Sequence, residues 1–223
     1  MKRTPSRRER RLVVLLTVQL SFSSLLLANT AAAEHFESAG IFGESGKQFT
    51  NFRPIPKWQD VLKRFRIEQR RQRDCDSGGC RDDHDWMQTL DRLRGKDRAV
   101  QVREVNRFAN NWRYITDPTN WNQDDYWSTP DEFLKKHGDC EDYAIIKFLS
   151  LRALGFSNDD LRLVVIKDLN LGVAHSVTLV RLNDRIMMLD NQIDRVIPAN
   201  AVKHYKPIFA ANEEAWWLFT LLQ

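Results

Sequence analysis

Tyr143, Ala144, Ile145, Ile146, Phe148, Leu149 and Leu151 run around most of the circumference of one predicted helix, which begins near Asp139 and stops at Gly155. A helix with one apolar stripe lies on a surface, whereas a helix that is apolar all round has to be enclosed. The rest of the chain must therefore wrap this segment. Its first turn carries Cys140, in the run Lys136-His137-Gly138-Asp139-Cys140-Glu141-Asp142-Tyr143-Ala144. A thiol at a helix start gains thiolate character from the helix dipole. Three carboxyl groups, Asp139, Glu141 and Asp142, crowd that thiol and oppose its ionisation. Either they point away or a positive charge neutralises them, and that conflict is a first pointer to a metal ion.

The elements around the central helix fall into two groups. Trp58, Val61, Leu62 and Phe65 recur at helical spacing and predict a helix over 56–73 whose other face is Lys and Arg, read as a solvated face. A second helix is expected over 97–114, with Val105, Phe108, Ala109 and Trp112 as its buried stripe, ended by Asp117-Pro118. Thr129-Pro130-Asp131-Glu132 combines an N-cap, a first-position proline and a capping box, and so starts a short helix that Gly138 stops. After Gly155 the period changes to two. Strands are expected over 161–167, 173–182, 185–191 and 195–197, with a fifth over 216–222. Helices first and antiparallel strands second make an α+β domain, N-terminal helices packed on a C-terminal sheet with the nucleophile at the start of the central helix.

Asn183-Asp184 suits a two-residue hairpin turn between apolar runs. Such a turn sets Leu182 opposite Arg185, Val177 opposite Asp190 and His175 opposite Gln192. His175 and Asp190 then project from one face as diagonal neighbours within reach of each other. A thiol with an imidazole and a carboxylate of this kind is the outline of a nucleophilic triad: Cys140 attacks, His175 is the base, and Asp190 holds its tautomer. Taken singly, each residue has an ordinary structural reading as a core histidine, a strand-end cap or a buried cysteine.

The N-terminus reads as an export signal over 1–33: a basic stretch to Arg11, an apolar stretch from Leu12 to Ala28, and Ala31-Ala32-Ala33 as a cleavage site. An uncleaved anchor is the alternative. The segment holds six of the 34 basic residues and one of the 30 acidic ones, so its removal takes the formal charge from +4 to −1. The basic isoelectric point therefore belongs to the signal, and no nucleic-acid partner is expected. Residues 34–56, rich in Gly, Ser and Phe, read as an irregular arm ahead of a single domain over 57–223. Cys75 and Cys80 flank a flexible Asp-Ser-Gly-Gly loop and are candidates for a local disulfide in an oxidising compartment. A metal site there with His84 lacks a fourth ligand, and free thiols are the remaining option. Pairing them leaves Cys140 as the odd thiol, with reactivity the leading reason for it.

Gly138-Asp139-Cys140-Glu141-Asp142-Tyr143-Ala144 follows Asp125-Tyr126-Trp127-Ser128-Thr129-Pro130 and precedes Ala174-His175-Ser176-Val177 and Leu189-Asp190-Asn191. Together these blocks resemble the bacterial transglutaminase-like cysteine proteases of the periplasmic LapG type, from about Phe42 to the C-terminus. The resemblance implies a papain/transglutaminase-like core, a Cys140–His175–Asp190 triad and a periplasmic endopeptidase. It also implies a large biofilm adhesin as substrate, cut near its N-terminus at a pair of alanines, and an inner-membrane cyclic-di-GMP receptor that sequesters the protease. Membrane contact is then expected only through the signal segment or that receptor. A calcium ion beside the nucleophile, held by Asp139 and Glu141, is implied too. Asp142, Asp124 and Asp125 are further candidate ligands on sequence grounds, since calcium takes oxygen donors. The Cys75–Cys80 loop is outside that pattern. Two rivals stand beside this reading: a transglutaminase or amidase using the same triad, and a calcium-stabilised binding module with an inert cysteine.

Overall fold

The computed structural model describes residues 35–36, 40–75 and 84–219. Short strand β1 (Lys47–Phe49) opens the fold, and helices α1 (Pro56–Cys75), α2 (His84–Leu93) and α3 (Arg98–Asn110) follow. A single turn α4 (Asp117–Asn120), a short α5 (Pro130–Lys136) and the central α6 (Cys140–Ala153) complete the helical half. Strands β2 (Leu161–Asp168), β3 (Ala174–Leu182), β4 (Arg185–Leu189), β5 (Ile197–Pro198), β6 (Tyr205–Ala211) and β7 (Trp216–Leu218) make up the second half. With β1 they form one seven-stranded antiparallel sheet, ordered β1-β7-β6-β2-β3-β4-β5. The expected export segment 1–33 and the Cys75–Cys80 pairing lie outside the described residues. Among the described residues no helix is long and apolar enough to cross a membrane.

Every residue of α6 from Glu141 to Leu151 is buried. Phe148 and Trp58 meet edge to face with ring centroids 5.3 Å apart, and the Thr178 hydroxyl donates to the Ala144 carbonyl at 2.7 Å, tying α6 to β3. Leu161, Leu163, Val180 and Leu189 face the helices. Val164, Ile166, Val177 and Leu179 point the other way, into a second apolar cluster with Phe36, Ile41, Tyr205 and Phe219. The far face of the sheet is thus covered by the chain's own N- and C-terminal segments, so the central strands are apolar on both sides.

Two expectations need correction, and two further elements were not expected. The arm over 34–56 is not wholly irregular, because β1 within it pairs with β7, and Phe49 stacks on Trp216 at 4.8 Å. Helix α2 was not foreseen, although Trp86, Leu90 and Leu93 supply its buried stripe. Helix α3 stops at Asn110, not 114, so Trp112 lies beyond its end and, like Phe108, is only half-buried. Strand β6 was hidden by Pro207, which lacks an N–H for the ladder. The register shifts between Val165 and Ile166, opposite Phe209 and Pro207, and so takes up the irregular residue.

The junction between α5 and α6 is tight. Thr129 caps α5 in the expected capping box, and the chain then turns through His137 at φ 66°. Fully buried Asp142 accepts the Ser128 N–H at 2.6 Å and the Asp139 N–H at 3.1 Å, one on each carboxylate oxygen. A Cβ on Gly138 would lie 2.0 Å from that carboxylate, which no side-chain adjustment relieves while both bonds persist. Gly138→Ala is therefore expected to destabilise by about 2–4 kcal/mol through overpacking and loss of this cap. A melting temperature equal to the parent's would show that the junction yields instead.

Lys147 lies in the middle of α6 at 0% exposure, and its Nζ has no hydrogen-bond partner. Burial pushes its pKa down to about 7, partly countered by Asp190 and Asp194. Between pH 7 and its ordinary value of 10.5 the unfolded chain binds a proton that the folded chain does not, so this group makes stability rise with pH across that window. Lys147→Met should remove that rise and leave the protein more stable at pH 7 by at least about 1 kcal/mol. Denaturant titrations of both proteins between pH 7 and 10 check it; parallel stability curves would contradict it.

Candidate active site

Cys140 is the first residue of α6 and a free thiol, half-buried beside the start of β3. Its Sγ donates to Glu141 Oε2 at 3.2 Å. Burial raises the thiol pKa strongly; the charge and hydrogen bond of Glu141 and the charge of Asp139 add to this, and the Ser176 backbone N–H opposes it. That N–H contact sets the sulfur against β3 at the residue immediately after His175. The electrostatic conflict read from the sequence is thus present in the structure.

The hairpin argument places the other two groups. Asn183 and Asp184 both adopt positive φ, 49° and 60°, as a two-residue turn of this class requires, and Leu182 pairs with Arg185. His175 and Asp190 are buried at 3% and 1% exposure, and His175 Nε2 lies 2.8 Å from Asp190 Oδ1. The same Oδ1 accepts the Gln192 N–H at 2.9 Å, and Oδ2 accepts the Tyr205 hydroxyl at 2.9 Å. Burial alone would raise the Asp190 pKa, but the bonds from His175, Gln192 and Tyr205 outweigh it and hold the group below its ordinary value. Tyr205 did not figure in the sequence reading, since it sits at the start of the strand that Pro207 concealed. With Nε2 engaged by Asp190, Nδ1 is the nitrogen left to exchange a proton with a thiol.

The carboxylates gather into three overlapping groups: Asp139 with Cys140 and Glu141; Asp117 with Asp125 and Glu141; Asp117 with Asp139 and Asp142. Within each group the ligand atoms lie within 4.8 Å of one another. Asp124 is exposed and belongs to none of these groups. Asp117 was missed by sequence reasoning, where Asp-Pro marked only a helix break, yet it is buried and central to two of the three. Its Oδ2 accepts the Tyr126 N–H, and its own N–H donates to Asp139 Oδ2 at 3.2 Å. Oδ1 of Asp117 and Oδ1 of Asp139 are both buried without a hydrogen-bond partner. Burial raises Asp117 to about 6, with the neighbouring Asp139 and Asp125 contributing in the same sense. Burial and the Asp139 carboxylate also raise Glu141. Unpaired buried carboxylate oxygens facing other carboxylates are costly unless a cation joins them. Leaving aside the Cys140 sulfur, the donors are carboxylate oxygens, which suit calcium. Both oxygens of Asp142 hold backbone N–H groups, and those of Asp125 meet the Trp127 indole N–H and the Lys57 ammonium.

Residues 68–219 match the family model described as bacterial transglutaminase-like cysteine proteinase BTLCP. Among solved structures, Legionella pneumophila LapG is 37% identical over 60% of this chain and 75% of its own, with a TM-score of 0.54. Its calcium-bound form is 34% identical over 67% of this chain and 86% of its own, with a TM-score of 0.57, and an EGTA-treated form is also similar. No curated protein sequence matches. The extent of the family match, with these neighbours, makes the chain a member of the bacterial transglutaminase-like cysteine proteinases.

Proposed function

We propose that this chain is a periplasmic calcium-dependent cysteine endopeptidase with a Cys140–His175–Asp190 triad. Its proposed substrate is a large surface adhesin, released by a cut near the adhesin's N-terminus at a pair of alanines. An inner-membrane cyclic-di-GMP receptor is the proposed sequestering partner. The observation that carries the catalytic part is the buried 2.8 Å His175–Asp190 bond at the strand end that also gives the Cys140 sulfur a backbone contact. The substrate, the receptor and the export route rest on the sequence resemblance.

In this reading His175 Nδ1 takes the thiol proton as Cys140 attacks a peptide carbonyl, and then delivers it to the leaving amine. Asp190, held by Tyr205 and Gln192 as well as His175, keeps Nε2–H as the donor and stabilises the imidazolium. The Cys140 backbone N–H in the first turn of α6 is an oxyanion donor. Asp117, Asp139, Glu141 and Asp125 are the proposed calcium ligands, with Asp142 bracing the loop that carries them. Calcium bound there supplies a fixed positive charge that offsets the carboxylates opposing thiolate formation.

Cys140→Ala should abolish peptide-bond cleavage in a folded protein. Asp190→Asn should lower the rate by on the order of 10³-fold or more, because an amide can hold the imidazole in the wrong tautomer. Purified protein incubated with exported adhesins tests both. Full activity in either folded variant refutes the triad, and incorporation of an amine without chain scission would favour a transglutaminase.

Chelation with EGTA should lower activity and melting temperature together, since an ion bound only by the folded state stabilises it by mass action, about 2.7 kcal/mol at a hundredfold excess over Kd. Asp117→Asn and Asp139→Ala should each reproduce the chelated state and lose the response to added calcium. Activity and melting temperature both indifferent to EGTA would remove calcium from the reading.

A further inference from the structure

The hairpin turn between β2 and β3 presents three large apolar side chains to solvent: Leu169 at 53% exposure, Leu171 at 62% and Val173 at 50%. They lie outside both apolar clusters of the fold. Turns of this kind are ordinarily polar, and adjacent exposed apolar groups mark a contact surface. The backbone beneath them is firmly held. Asp168 Oδ1 accepts the N–H groups of Asn170 at 2.8 Å and Leu171 at 3.1 Å. The Asp168 N–H donates to the Val173 carbonyl, Gly172 at φ 72° donates back to Asp168, and the Leu169 N–H donates to the His204 carbonyl. Lys167 Nζ adds a bond to the Gly172 carbonyl. Side chains displayed on a backbone tied at so many points lose little entropy when a partner covers them.

The position of this turn gives it a role. Val173 stands at the bend just ahead of β3, two residues before His175, and the Leu169 N–H bond to the His204 carbonyl sets the turn next to Tyr205, which holds Asp190. At about 3.3 Å per residue the tip reaches past His175 by no more than about 20 Å, within a few residues of an extended peptide bound at the thiol. Tyr114, 50% exposed and stacked on Tyr143 at 6.2 Å, adds a further exposed apolar surface close to Cys140.

We propose that Leu169, Leu171 and Val173 are specificity-determining residues that pack against an extended, uncharged apolar segment of the protein substrate, a few residues from the bond that is cut. The proposal rests on Cys140 being the nucleophile. It commits to a substrate segment as the occupant, because a member of this proteinase family needs a peptide in the space beside its thiol and the turn continues directly into the strand that carries His175.

The triple variant Leu169→Ser, Leu171→Ser, Val173→Ser tests it, since all three positions are exposed and the fold does not depend on them. Inactivation rates are measured, with calcium present, for iodoacetamide and for a tetrapeptidyl chloromethyl ketone bearing Leu and Ala side chains. The variant should lose about tenfold or more of the peptide reagent's advantage, the scale of one lost apolar pocket contact. Its iodoacetamide rate should stay within about twofold of the parent's, as expected for a surface change that leaves the thiol's surroundings intact. A peptide reagent with Asp at the distal positions should show little advantage with either protein. An unchanged ratio of peptide to iodoacetamide rates overturns the proposal. So does an unchanged ratio accompanied by a dimer turning into a monomer in sedimentation, which would make a second copy the occupant. Failure of both reagents to label Cys140 in the parent would instead remove the nucleophile, and peptide mapping separates that outcome from the others.

Discussion

One carboxylate sets the position of the Cys140 thiol. Asp142 is fully buried, and its two oxygens hold the backbone N–H groups of Ser128 and Asp139. One of these residues precedes α5 and the other precedes Cys140, so a single side chain joins the segment entering one helix to the start of the next. Glycine at 138 is what allows the close approach. Because α6 is enclosed along nearly its whole length, its N-terminus cannot shift independently of the core. The thiol is thus located by packing from behind and by Asp142 from the side.

That arrangement carries an electrostatic cost. Burial, then Glu141 and Asp139, hold the thiol protonated more firmly than one in water, and burial and neighbouring carboxylates raise Glu141 and Asp117 as well. The His175–Asp190 pair shows the opposite design. There each oxygen of the carboxylate meets a donor, and the charge is stabilised despite burial. Two acidic environments within one site are thus tuned in opposite senses, one complete in itself and one with orphaned oxygens that call for a cation.

What could be read in advance depended on whether a signal was local. The Thr129 capping box, the all-round apolar helix and the Asn183-Asp184 turn each lie within a few residues, and all three appear in the structure. The turn mattered most, because a register counted from it set His175 against Asp190 across 15 residues. Contributions from further away were not legible. Asp117 reaches Asp139 across 22 positions, and Tyr205 reaches Asp190 only because β6, disguised by Pro207, lies in the sheet beside β2. Strand β1 was obscured for a similar reason, since its three residues become a strand only through β7.

The cover on the sheet's far face constrains how the polypeptide can be shortened. Phe36 and Ile41 fill the cluster formed by Val164, Ile166, Val177 and Leu179, and a few residues later β1 closes the edge of β7. Removal of residues ahead of Phe36 would spare these contacts. A cut some fifteen residues further on would strip an apolar sheet surface and open a strand edge at once, the combination that templates aggregation. Residues 36–49, read from the sequence as an arm, are thus a structural part of the sheet, and the domain cannot be trimmed to its central strands.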